Sequence, residues 1–336
     1  MTTAALSVVS NSIQINRWFA ESPETFTFAS RVDQAPIFVR KWLPPCGIRP
    51  RATVQITHGI AEHSGRYNRF ARFLTAQGYV VYAIDLRGHG GTAGLDNLGQ
   101  AGLTAWEDMT ADIKQLSDIA KTEYPTSPLI AFGHSMGSAL TQSHTQNYGD
   151  LLAGAILCGT MGAMPGLDEA QYESVIQKLH AQGTGADSRM PCQVFGKLLA
   201  GFNTPFVENL RNPTGSEWQT GDAEEIRLFQ ADPLCGKPFS NSMSYSVLKG
   251  FHDLWLPGKE SRIPVDLPIL IIAGADDPVG GKTRTIQKLI NRYMSQGHLT
   301  LSYRFYSGGR HEILNEAEKD RVHRDVGHWL SQIVDC

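Results

Sequence analysis

The sequence predicts an α/β protein: a mostly parallel central sheet flanked by helices, carrying one long, mostly helical insertion. Three observations predict it. Short β-branched apolar runs recur, of the kind that form strands buried on both faces. Stripes of apolar residues at steps of three or four lie between them. One stretch, residues 164–262, breaks the alternation. The chain has 336 residues, above the size at which a single core normally stops growing. One large domain with an insertion fits better than two unrelated halves.

In order along the chain, Thr25–Phe28 and Ile37–Trp42 read as antiparallel strands at one edge. Thr53–Thr57 (TVQIT), Tyr79–Ile84 (YVVYAI), Leu129–Phe132, Ala155–Cys158 and Ile269–Ala273 read as buried parallel strands, and Leu299–Tyr306 as a later, partly alternating one. Leu103, Trp106, Met109, Ile113, Leu116 and Ala120 make one face of a helix, as do Val322, Val326, Trp329, Leu330 and Ile333. Asn315 and Glu318 have N-cap and N3 character, which starts that last helix at Asn315. Alternation of this kind implies a parallel sheet with helices on both faces. Within 164–262 helical patterns appear at Gln171–His180 and Ala223–Gln230. A loop of that length needs structure of its own, so the stretch reads as a cap over the C-terminal edge of the sheet. The expected division is therefore 1–163 and 263–336 for the core, and 164–262 for the cap.

Composition narrows the function. A net charge of −3 provides no basic face for nucleic acid. No run of about 20 apolar residues is present to cross a bilayer. The start, MTTAALSVVSNSIQINRWFA, has no basic residue before Arg17 and only a short apolar stretch, unlike a secretory signal, so the expected location is cytoplasmic. Cys46, Cys158, Cys192, Cys235 and Cys336 are widely spaced and form neither a disulfide framework nor a C-x-x-C pair.

The chemistry centres on Gly133-His134-Ser135-Met136-Gly137, which follows the strand LIAF and precedes a helix-compatible segment from Ser138 to Asn147. That is the strand–turn–helix context of a nucleophile elbow. A serine hydroxyl needs a base. Among eleven histidines, His311 in SGGRHEILNE follows a strand and precedes a helix, where a loop reaches the sheet edge. His323 and His328 fall inside the last helical pattern. The acid lies in GADDPVG, after the strand LPILIIA, with Asp276 and Asp277 both candidates. His58-Gly59-Ile60 follows the strand TVQIT, so the backbone amides of Ile60 and Met136 are placed as oxyanion donors. Such donors are worth ~3–4 kcal/mol each. Gly88–Ala93 matches G-x-G-x-x-A, but it is not on the first strand and no helical pattern opens there, so it reads as a turn. No metal-spaced histidine cluster appears, and no metal or cofactor is implied.

HGIAEHSGRY (58–67), DLRGHGGT (85–92), GHSMG (133–137), GADDPV (274–279) and GGRHEILNE (308–316) together resemble the monoacylglycerol lipase and bacterial lysophospholipase-like branch of the α/β-hydrolases. The resemblance covers both halves of the core, and in the insertion only DPLCG (232–236) is familiar. It implies Ser135 as nucleophile, His311 as base and Asp277 as acid. It also implies that Glu62 and Arg66 line the polar end of the substrate site, the alternative being a buried pair bracing the oxyanion loop. Ser138 departs from the second glycine of many relatives. The implied function is hydrolysis of an ester with one acyl chain, a monoacylglycerol, lysophospholipid or simpler aliphatic ester, through an acyl-enzyme on Ser135. Phe251, Leu254 and Trp255, with Phe202 and Phe206, are candidate walls for the chain. The partner is a small-molecule ester, with transient contact between cap and lipid surface left open. The alternatives are a prolyl-type aminopeptidase, with Asp222, Glu224 and Glu225 as its amine grip, and a noncatalytic binding protein. Epoxide hydrolase or dehalogenase chemistry would want an aspartate at position 135.

Overall fold

A computed structural model describes residues 22–164 and 168–334. The reading of the N-terminus falls on 1–21, outside the described residues, as does Cys336. Among the described residues eight strands form one sheet: β1 (Glu24–Ala29), β2 (Pro36–Trp42), β3 (Thr53–Thr57), β4 (Val80–Ile84), β5 (Leu129–His134), β6 (Gly154–Cys158), β7 (Ile269–Gly274) and β8 (Leu301–Tyr306). Their spatial order is β1-β2-β4-β3-β5-β6-β7-β8. β2 is antiparallel to both β1 and β4, and from β4 to β8 every pairing is parallel.

The apolar runs form strands because both of their faces are covered. In β4, Val80, Tyr82 and Ile84 join one core cluster while Val81 and Ala83 join the other, as period-two alternation requires. The first cluster packs under α2 (Ala105–Glu123) through Met109, Ile113 and Leu116. The second packs under α1 (Asn68–Thr75) and the C-terminal helix, through Phe70, Leu74, Val326 and Leu330. α3 (Met136–Tyr148) follows β5 and is buried along nearly its whole length.

Between β6 and β7 the chain inserts α4 (Glu169–Gly183), α5 (Gln193–Val207), α6 (Ala223–Ala231) and α7 (Asn241–Leu254). Asp168 and Gln171 form a capping box on α4, and Asp222 and Ser240 cap α6 and α7. α7 lies on the core: Trp106 N–H donates to Ser246 Oγ at 2.9 Å, and the Trp106 ring meets Phe251 edge-on at 5.4 Å. The approach is so close that a Cβ on Gly250 would lie 2.0 Å from Trp106. α8 (Arg284–Ser295) and α9 (Lys319–Val334) complete the core.

The structure revises several boundaries. α2 begins at Ala105, leaving Leu103 outside it. Leu299 lies before β8 and is 90% exposed. α9 begins at Lys319 rather than at Asn315. Asn315 instead ends a 3-10 turn, and its amide donates to Glu312 Oε2 at 2.9 Å, so its side chain is engaged before any helix starts. Gly90–Ala93 does open one helical turn. The turn packs on Asp85, whose Oδ2 accepts the Gly91 N–H at 2.7 Å.

Candidate active site

Ser135, Asp277 and His311 come from three loops that leave the same edge of the sheet, after β5, β7 and β8. Ser135 has φ 54 and ψ −121, a left-handed conformation that L-residues rarely hold outside such turns. A Cβ on Gly133 would sit 2.2 Å from Gly137 O, and one on Gly137 would sit 2.1 Å from Thr57 O. Glycine at both positions is therefore a steric requirement of this turn. Ser138 is fully buried and places its hydroxyl 2.6 Å from Ser135 O, which locks the first turn of α3.

His311 Nδ1 lies 2.9 Å from Asp277 Oδ2, and both residues are buried. A carboxylate only accepts, so Nδ1 carries the proton and Nε2 keeps its lone pair. Nε2 is buried with no partner among the described residues. Asp277 Oδ1 accepts the Val279 N–H at 2.8 Å, which fixes the carboxylate. Asp276 is half-buried, and its side chain makes no hydrogen bond among the described residues. Burial disfavours the His311 imidazolium, but the Asp277 charge and hydrogen bond outweigh it, so the pKa is raised above 6.5. His134, 4.8 Å from His311 ring to ring, is held down to about 4 by burial and then by the His311 charge, so it is neutral near pH 7.

Ser135 opens into an apolar pocket. Ile60 and Met161 of the core and Phe195, Leu198, Phe202, Trp218 and Phe251 of the insertion wall it. Neither Ile60 N–H nor Met136 N–H meets an acceptor among the described residues. Phe202 and Phe251, two of the residues singled out in the sequence, lie in this wall. Leu254 is buried outside the pocket, its carbonyl accepting from Gln146. Trp255 stacks on Phe251 behind it, and Phe206 lies under the Arg310 guanidinium. Sequence reasoning missed Trp218, whose ring lies 5.1 Å from His311. An isolated tryptophan in an insertion offers no local signal of such a role.

Residues 48–318 match the sequence profile of a family described as "Serine aminopeptidase, S33". The chain belongs to that α/β-hydrolase family. Among curated relatives, the Homo sapiens monoglyceride lipase is 35% identical over 88% of this chain and 87% of its own. The monoacylglycerol lipase of Mycolicibacterium smegmatis is 29% identical over 86% of this chain and 90% of its own. Among solved structures, a thermostable carboxyl esterase from Bacillus coagulans superposes with a TM-score of 0.83 at 27% identity, covering 94% of this chain and all of that one.

In this hydrolase Glu62 and Arg66 do not face the Ser135 pocket. They line a separate recess with Tyr67 and Glu312. Arg66 grips Glu312 through two bonds, at 2.8 and 2.7 Å, and donates to Glu62 at 2.8 Å. Glu62 Oε1 accepts from Gly59 N–H at 2.6 Å and from the Tyr67 hydroxyl at 2.8 Å. Burial alone would push both carboxyls up, but the guanidinium overrides it, lowering Glu62 and holding Glu312 at about 2. The arrangement ties the loop after β3 to the loop carrying His311. Glu312 was not singled out from the sequence, although it directly follows the candidate base.

The three acidic residues singled out as a candidate amine grip are paired within the hydrolase: Asp222 with Lys319, Glu225 with Arg69 and Lys319, and Glu224 with Arg227. Among the described residues, metal-type ligands converge at His63, Asp232 and Cys235 and at Glu169, Glu173 and His252. No spacing in the sequence exposes the first group, because His63 lies far along the chain from Asp232 and Cys235. His63 Nδ1 accepts the Gly65 N–H at 3.2 Å, which leaves the proton on Nε2, 2.9 Å from Asp232 Oδ2. Burial pushes the Cys235 thiol well up. That geometry is a hydrogen-bonded pair beside a neutral thiol. No helix among the described residues is long and apolar enough to cross a membrane.

Proposed function

We propose that this chain is a serine ester hydrolase that cleaves esters carrying one acyl chain, such as a monoacylglycerol, a lysophospholipid or a medium-chain aliphatic ester. The observation that carries it is the apolar pocket opening at Ser135, walled by the Trp218 that packs on His311, a histidine whose Nδ1 faces Asp277 and whose Nε2 has no partner among the described residues. Ser135 Oγ attacks the carbonyl carbon as its proton passes to His311 Nε2. The amides of Ile60 and Met136 hold the oxyanion, and Asp277 stabilises the imidazolium. The C–O bond to the alcohol breaks as His311 returns the proton to the leaving oxygen. A water then gives its proton to His311 and attacks the acyl carbon; the bond to Ser135 Oγ breaks as His311 returns that proton to Oγ, and the acid leaves. Residues 164–262 act as the cap that walls the acyl chain.

The aminopeptidase reading is not favoured. The acidic residues that would grip a free amine are paired with basic side chains, and the curated relatives above carry lipase names. A panel of substrates tests the proposal. Monoacylglycerols and medium-chain simple esters should turn over far faster than triacylglycerol emulsions or aminoacyl amides. Preference for either of the latter would require a wider pocket or an amine site.

The pH profile follows from the raised His311 pKa. Only neutral His311 accepts the serine proton, so kcat/KM should rise with pH along a limb whose midpoint lies above 6.5. A midpoint below 6.5 would mean that burial outweighs Asp277 in the free enzyme.

A further inference from the structure

The loop after β3 is held from outside at nearly every residue. His58 Nε2 accepts the Leu86 N–H at 3.0 Å, and its Nδ1 lies 2.8 Å from Gly59 O. Glu62 accepts the Gly59 N–H, as described above. Ala61, the residue after Ile60, has φ 52, a left-handed conformation its Cβ disfavours. A strained residue persists only where its surroundings over-determine it. Here the Ala61 N–H donates to His89 Nε2 at 3.2 Å, and the Ala61 carbonyl accepts from Gly236 N–H at 2.8 Å. Two residues on, His63 Nε2 donates to Asp232 Oδ2.

Two of these restraints do not come from the core. Asp232 and Gly236 belong to the insertion, on the turn after α6. Asp232 Oδ1 accepts the Leu234 N–H at 2.9 Å and closes that turn, and Gly236 has φ 71, open to glycine. The turn thus grips the loop on the C-terminal side of Ile60, at Ala61 and at His63.

We propose that the Asp232–Gly236 turn of the insertion is a positioning element for the oxyanion hole. It holds the Ile60 N–H in line with the Met136 N–H through the Gly236–Ala61 and Asp232–His63 bonds. Asp232 and His63 are positioning residues: neither lines the Ser135 pocket. The insertion then has two duties, walling the acyl chain and completing the site that polarises the carbonyl. This rests on the reading of Ile60 and Met136 as oxyanion donors.

The test uses the full chain with a short substrate, p-nitrophenyl butyrate, and the variants Asp232→Ala, His63→Ala and their combination. Each single variant should lower kcat about tenfold or more, since small displacements of a preorganised donor are costly. KM should stay within twofold. The double variant should fall no further than the singles, because both remove one linkage. An alkyl trifluoromethyl ketone, whose serine adduct carries an oxyanion, should bind more weakly by the same factor as kcat falls. The pH midpoint should not move, because the His311–Asp277 pair is untouched. If Asp232→Ala fails to fold, Asp232→Asn reads the same quantity: its oxygen still closes the turn while its NH2 opposes the His63 N–H. Unchanged kcat with a lowered Tm, a KM rise at constant kcat, or multiplicative losses in the double variant would each overturn the proposal. Activity retained by Ser135→Ala would instead strike down the nucleophile reading, and this control is scored separately.

Discussion

Ser135→Ala should abolish fluorophosphonate labelling and lower kcat for a medium-chain ester by about 10⁶-fold. The magnitude follows from the mechanism proposed above, in which Ser135 Oγ is the only group that forms the acyl bond. The fold should be indifferent to the change. The Ser135 N–H still reaches Cys158 O at 3.0 Å, the Ser138 hydroxyl still meets the carbonyl of residue 135, and alanine carries the same Cβ through the strained turn. Mass spectrometry of the labelled wild type should find the adduct on the peptide containing GHSMG. Activity within tenfold of wild type would remove Ser135 from the mechanism, and so would an adduct on another serine.

Asp277→Asn should lower kcat by roughly 10⁴-fold while the protein stays folded. Val279 N–H binds Oδ1 and will hold the asparagine oxygen there, so the NH2 is turned toward His311 Nδ1. Nδ1 must then accept, the proton moves to Nε2, and the ring can no longer take the serine proton. A second signature accompanies the loss. Without the Asp277 charge and hydrogen bond, burial is opposed only by the smaller influences of Glu312 and Glu62, so the acid limb of residual activity should shift to lower pH than in the wild type. Asp276→Asn changes a half-buried side chain that makes no hydrogen bond among the described residues, and it should keep most activity. The opposite ranking of these two variants would transfer the role to Asp276.

The paired aspartates illustrate how legibility divides. The motif GADDPVG places an acid after β7, yet the residues alone leave two candidates, and only the resemblance favours Asp277. Adjacent residues in an extended loop point in different directions, and which one meets His311 depends on how the loop after β8 lies against the loop after β7. Glu62 and Arg66 show the same limit. Their position in EHSGRY marks them, but their partner Glu312 arrives from the far end of the chain. The helices of the insertion were harder to read than the core. α5 carries apolar residues on a surface that is partly pocket wall, so its pattern mixes two demands.

From the sequence alone came the α/β alternation, the strand–turn–helix that holds Ser135, the loop that carries His311 and the presence of a helical insertion. These are local properties: a repeat of two or three to four residues, or a turn so tight that glycine must flank it, is written in contiguous residues. The tertiary structure alone decided how the loop after β7 lies against the loop after β8, that Trp218 stands over His311, and that Glu62 and Arg66 are bound to Glu312. It alone also brought Asp232 and Gly236 against the loop of Ile60. Those contacts join residues far apart along the chain, and their geometry exists only once the packed core has brought the loops to one edge of the sheet.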